Sequence, residues 1–133
     1  MKVYFPGNKQ VFMDVNDFTI QTDQGIKGGG EASFPEPFTL FLASLGTCAG
    51  IYIKQFCDQR KIDTSEITID QSIEYNTEKR MIGKIQLMVN VPVSFPEKYE
   101  EAVIRSANMC AVKKHIHPDI EVVTLINRLS NDS

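Results

Sequence analysis

The spacing of apolar positions divides the chain into three short strands, a helix, two strands, a second helix and a last strand. Lys2 to Phe5, Gln10 to Val15 and Phe18 to Thr22 are short runs of β-formers broken by Pro6-Gly7-Asn8 and Asn16-Asp17, which are turn residues, so they predict a meander. Asp23 to Glu36 carries Gly25, Gly28-Gly29-Gly30 and Pro35. Three successive glycines are costly in a helix or strand, so this stretch reads as a loop that is either flexible or closely approached by other groups. From Phe38 to Ile53 no charge occurs, and apolar residues lie on every side of a helical wheel; the run turns polar at Lys54, Gln55, Asp58, Gln59, Arg60 and Lys61. A helix of this kind must be surrounded. A chain of 133 residues has little material to wrap it, so burial in a dimer is expected. Gly46 and Gly50 share one helix face and remove bulk there, either to admit another backbone in such a dimer or to pack tightly on the chain's own sheet.

Ile67, Ile69, Ile73 and Tyr75 alternate with polar residues, interrupted on the apolar side by Gln71, the pattern of a strand with one wet face. Asn76 to Met81 turns the chain, and Ile85, Leu87, Val89, Val91 and Val93 form the partner strand of a hairpin, with Pro92 near an edge or end. Ser94-Phe95-Pro96-Glu97 fits a capping box, with Ser94 as N-cap and Glu97 at N3, and predicts a second helix. Its buried stripe is Tyr99, Val103, Ala107, Cys110 and the stem of Lys114, and it ends at Lys113-Lys114-His115 before His117-Pro118. Ile120 to Ile126 is the last strand.

A composition of 42% hydrophobic and 23% charged residues excludes disorder and fibres, and the length predicts one domain over residues 1–133. The net charge of −3 lacks the basic excess of a nucleic-acid binder, so no nucleic-acid partner is expected. No secretory signal is visible at Met1 to Gly7, and the uncharged run is short for a membrane span, so the expectation is a cytoplasmic protein with no membrane partner. The three cysteines, Cys48, Cys57 and Cys110, fit no zinc signature, and no metal is expected. Cys57 points away from Cys48 on the same helix, which leaves Cys110 as the better partner within the chain. Buried thiols mostly serve as small apolar residues, and burial raises their pKa, so reactivity requires a nearby cation or hydrogen-bond donors. His115 and His117 lie on different faces near a helix end, where complementing the dipole or facing solvent is expected of them.

Pro37-Phe38-Thr39-Leu40-Phe41-Leu42-Ala43-Ser44-Leu45-Gly46-Thr47-Cys48 resembles the Pro-x-Glu-Leu-Leu-Leu-Ala-Ala-Leu-Gly-x-Cys helix of the OsmC/Ohr family. Cys110-Ala111-Val112-Lys113-Lys114-His115-Ile116 resembles that family's second cysteine segment, and the order of elements matches along nearly the whole chain. The resemblance implies an α+β, OsmC-like fold with antiparallel sheets wrapped around two long central helices in an intertwined homodimer. It also implies a thiol peroxidase of oxidative-stress defence. In that reading Cys48 attacks a small organic hydroperoxide, Cys110 resolves the product as a disulfide, a dithiol reductant restores the thiols, and no cofactor takes part.

The chain departs from the family pattern at the groups that would orient the peroxide. Phe38 and Thr39 stand where the family glutamate falls, and no arginine precedes Cys48. Lys27 with Glu31 or Glu36 are the candidate substitutes, although lysine lacks the arginine fork. Ala111 replaces a frequent proline, an exchange expected to matter little because alanine is the better helix former. These departures keep a second function in view: a non-catalytic protein of the same fold that binds a small ligand or senses redox state through its thiols.

Overall fold

The computed structural model describes residues 1–130 and contains two compact units, Met1–Ala43 and a second that begins at Ser44. In the first, strands β1 (Lys2–Gly7), β2 (Gln10–Val15) and β3 (Phe18–Thr22) form the expected antiparallel meander in the order β1-β2-β3. Asn8 and Asn16 make the turns at φ 45° and 53°, a left-handed conformation that asparagine tolerates. Registers Val3↔Met13 and Met13↔Ile20 put three apolar side chains in one row, while Tyr4, Phe12 and Phe34 meet edge to face.

Of the two readings of the glycine loop, close approach is the one realised. Asp23 is 1% exposed, and its carboxylate accepts N–H bonds from Gln24 (2.7 Å), Ser33 (3.1 Å) and Glu31 (3.4 Å), which hold it below the usual carboxylate range. A Cβ on Gly30 would collide with the Gln24 carbonyl oxygen and Asp23 Oδ1, so only glycine lets the chain wrap this tightly round a buried anion.

Helix α1 (Pro37–Gln59) begins in the first unit and continues into the second. There strands β4 (Thr68–Asn76) and β5 (Met81–Val91) form the predicted hairpin, and β6 (Glu121–Arg128) joins β5 in the order β4-β5-β6. The β5·β6 pairing is parallel, so this sheet is mixed where antiparallel sheets were expected. A parallel neighbour requires a crossover, and the crossover carries α2 (Glu100–Ala107) and α3 (Ala111–Lys114).

Only one long helix forms among the described residues; the second is short and broken. Its capping box does not form: Glu97–Tyr99 is a 3-10 turn whose N-cap is Pro96, with no side-chain cap. The cause is tertiary. Arg128 donates to the carbonyls of Val93 (2.9 Å) and Phe95 (2.7 Å) and pairs with Glu100, so residues 92–95 are held as a turn and the α-helix starts later.

The core of this unit joins Leu45, Ala49, Ile53 and Phe56 of α1 to Ile85, Leu87, Val89 and Val91 of β5 and to Val103 and Ala107 of α2. Each large side chain buried there contributes about 1.5–3 kcal/mol relative to exposure. Gly46 and Gly50 face the chain's own sheet. A Cβ on Gly46 would lie 2.5 Å from Gln71 Oε1, and one on Gly50 would lie 3.8 Å from Ile69 Cδ1. Gln71, the polar break in an apolar face, is therefore the residue laid across Gly46. Although α1 is long and apolar enough to cross a membrane, its second half packs here as a core helix. Parts of α1 stay exposed: Phe38 is 56% exposed and Ile51 57%.

Candidate active site

Cys48 lies midway along α1 and is half-buried, whereas Cys110 is 1% exposed and caps the start of α3. The fold brings the two thiols together. The Cys110 thiol and the backbone N–H groups of Val112 and Ala111 are the hydrogen-bonding groups that act on the Cys48 sulfur. Together they hold Cys48 below an ordinary thiol pKa, Cys110 being the largest cause, Val112 the next, and burial opposing them. At Cys110 the balance reverses. Burial, and then the bond to Cys48, push its pKa up, against N–H donors from Lys113 and Val112. One sulfur of the pair is thus prepared to lose its proton and the other to keep it, and the one prepared to ionise is the one solvent can reach.

Side chains from several elements fix this arrangement. Ser106 Oγ donates to the Tyr52 carbonyl (3.2 Å) and ties α2 to α1 one turn beyond Cys48. The Cys110 sulfur lies 4.0 Å from the Leu45 carbonyl oxygen on the turn before it. Cys57, the third thiol, is fully buried; burial and the Asp58 charge raise its pKa.

Lys27, Glu31 and Glu36 belong to the N-terminal unit. Lys27 is exposed on a 3-10 turn, Glu31 accepts a bond from Asn8 Nδ2 (3.3 Å), and Glu36 accepts the Gly25 N–H (3.0 Å). His115 Nδ1 is 2.8 Å from the Ala111 carbonyl oxygen and His117 Nδ1 accepts the Asp119 N–H (3.0 Å), so both serve the local backbone.

The groups that act on Cys48 besides Cys110 are main-chain amides, which side-chain chemistry could not signal. Position 111 was the available clue. Proline there would carry no N–H, so alanine contributes a donor in addition to its helix propensity, and the exchange matters more than propensity suggested.

The family model described as OsmC-like protein matches residues 28–124. The chain belongs to the OsmC-like family. No curated protein matches it in sequence. Solved structures share the OsmC-like fold. A Psychrobacter arcticus protein ascribed to the osmotic stress and detoxification response superposes with a TM-score of 0.79 at 22% identity, covering 95% of this chain and 93% of its own. The organic hydroperoxide resistance protein OsmC of Legionella pneumophila gives 0.65 at 18% identity, with 95% and 93% covered. OhrB of Bacillus subtilis, also an organic hydroperoxide resistance protein, gives 0.61 at 18%, with 95% and 96% covered. The OsmC-like fold is thus common ground with these structures.

Proposed function

We propose that this OsmC-like protein is a cytoplasmic thiol peroxidase that reduces small organic hydroperoxides in oxidative-stress defence. The observation that carries the reading is the asymmetric pair: a reachable Cys48 with a lowered pKa against a buried, protonated Cys110. The Cys48 thiolate attacks the terminal oxygen of R–O–O–H; the O–O bond breaks, Cys48 becomes a sulfenic acid, and the alkoxide leaves and takes a proton as the alcohol. Cys110, giving up its proton, then attacks the Cys48 sulfur, forming the disulfide and releasing water. A dithiol reductant reopens it by exchange, becoming a disulfide itself. Backbone amides and the Cys110 S–H stand in for the arginine absent before Cys48, while Lys27, Glu31 and Glu36 are the side chains proposed to orient the peroxide.

The working form in this reading is a homodimer. Phe38, Phe41 and Ile51 of α1 are at least 40% exposed, as are Val3, Phe5, Phe18 and Ile20 of the first sheet, and a second copy of the chain supplies cover of matching chemistry. Reduced protein mixed with one equivalent of cumene hydroperoxide should lose two thiols per chain and form an intramolecular disulfide; no loss of thiol overturns the reading. An apolar cavity of about 310 Å³, lined by Val3, Val11, Met13, Ile20, Pro37 and Leu40 among others, favours a second reading as a binder of a small apolar ligand. Saturable binding of an apolar fluorophore without peroxide-driven thiol loss would select it.

A further inference from the structure

The turn that presents Cys110 has its backbone satisfied internally. Asn108 N–H bonds the Ile104 carbonyl (3.0 Å), Met109 N–H that of Ser106 (3.1 Å) and Cys110 N–H that of Ala107 (3.3 Å). None of these contacts attaches the turn to the sheet. The attachment is a side chain. Asn108 Oδ1 accepts a bond from Thr124 Oγ1 (2.8 Å), 8% exposed on β6, and a second from Lys113 Nζ (2.9 Å) on α3. One oxygen thus ties together a residue two places before Cys110, a residue three places after it, and the strand beneath. The segment enclosed by this clasp holds Cys110 and the Ala111 and Val112 amides that face Cys48. It is also the segment where the helix is interrupted, with Cys110 at φ −50°, ψ 128°. Exposed Met109 at its tip offers no competing anchor.

We propose that Asn108 is a positioning residue for the closing thiol: its side-chain oxygen, bridging Thr124 and Lys113, holds Cys110 in reach of the Cys48 sulfur. The inference rests on the reading of Cys110 as the thiol that closes onto Cys48, and adds the residue on which the speed of that closure depends. Asparagine suits the place because an acceptor with two lone pairs serves two donors at once, and a leucine of similar size serves neither. Placement errors of about 1 Å commonly cost up to about a hundredfold in rate, so a loosened clasp is visible kinetically.

The test uses Ellman's reagent, which does not require peroxidase activity. The Cys48 thiolate attacks the reagent's disulfide and releases one thionitrobenzoate, leaving a mixed disulfide on Cys48. Cys110, after losing its proton to buffer, attacks the Cys48 sulfur, forms the Cys48–Cys110 disulfide and releases the second thionitrobenzoate. At alkaline pH, Asn108→Leu should leave the first phase within about twofold and slow the second at least about tenfold, and Asn108→Asp, which keeps the acceptor, should restore it. Thr124→Val, which keeps the shape and removes one donor, should slow the second phase about threefold and decides the matter if the leucine variant does not fold. Wild-type closure rates in Asn108→Leu or Thr124→Val, or an Asn108→Asp as slow as Asn108→Leu, overturn the proposal. A wild-type protein that closes with Ellman's reagent but never with a hydroperoxide overturns the peroxidase reading and leaves the clasp standing.

Discussion

Cys48 and Cys57 lie on the same helix, in the same unit, and differ in almost every property that governs sulfur chemistry. Cys57 is fully buried and its pKa is raised by burial and by the neighbouring Asp58. Cys48 is also partly desolvated, yet its pKa falls, because an S–H and two backbone N–H groups converge on it. The comparison teaches that on this helix donors outweigh burial at Cys48, whereas burial prevails at Cys57. Those donors come from the α2–α3 crossover, so the pKa of a residue on α1 is lowered by a segment some 60 residues away.

The most damaging change to the comparison is Cys48→Ser, expected to lower peroxide-driven thiol loss by at least about a thousandfold, since neither remaining thiol is both ionised and reachable. If Cys57 or Cys110 reacted at the wild-type rate in that variant, the contrast would be false. Cys110→Ala removes the largest cause of the lowered Cys48 pKa. Loss of a donor to the thiolate raises the pKa, so iodoacetamide labelling of Cys48 should shift its pH midpoint upward, and peroxide should leave a sulfenic acid trappable by dimedone. Cys110→Ser, which keeps a donor, should shift it less.

Ala111→Pro sharpens the comparison further. Cys110 already has the extended ψ of 128° that suits a residue before proline, and position 111 is the first of α3, where proline is tolerated. The variant should fold normally and lose one donor, moving the labelling midpoint upward by less than Cys110→Ala does. Smallest of all is Cys57→Ala: peroxide reaction within about twofold of wild type and a stability loss of about 1 kcal/mol in urea titration.

Much of the fold was legible because alternation and turn chemistry are local. Gln10–Val15 and Phe18–Thr22 match their expected strands residue for residue, and the β4–β5 hairpin followed from alternation on either side of one turn. The second helix misled because the Ser94 and Glu97 pattern is local, whereas the Arg128 bonds that suppress it come from β6. The glycine loop could not be resolved from composition, since the buried carboxylate of Asp23 that organises it looks like any aspartate in a polar stretch. At the site, both cysteines were visible from their segments. The amides of Ala111 and Val112 were not, because every residue except proline carries one, and only folding determines which amides meet a sulfur.

Parallel pairing of β6 with β5 forces the chain to travel back along the sheet, and Cys110 rides on that return path. A covalent link from there to α1 would close a ring of about 60 residues that includes the hairpin, worth about 4 kcal/mol through lost freedom of the denatured chain. Molecules that have met an oxidant would then melt roughly 10–20 °C above those that have not, and a calorimetric scan of a mixed sample would separate into two endotherms. Heat resistance would become a memory of chemical exposure, erased whenever the ring is cut.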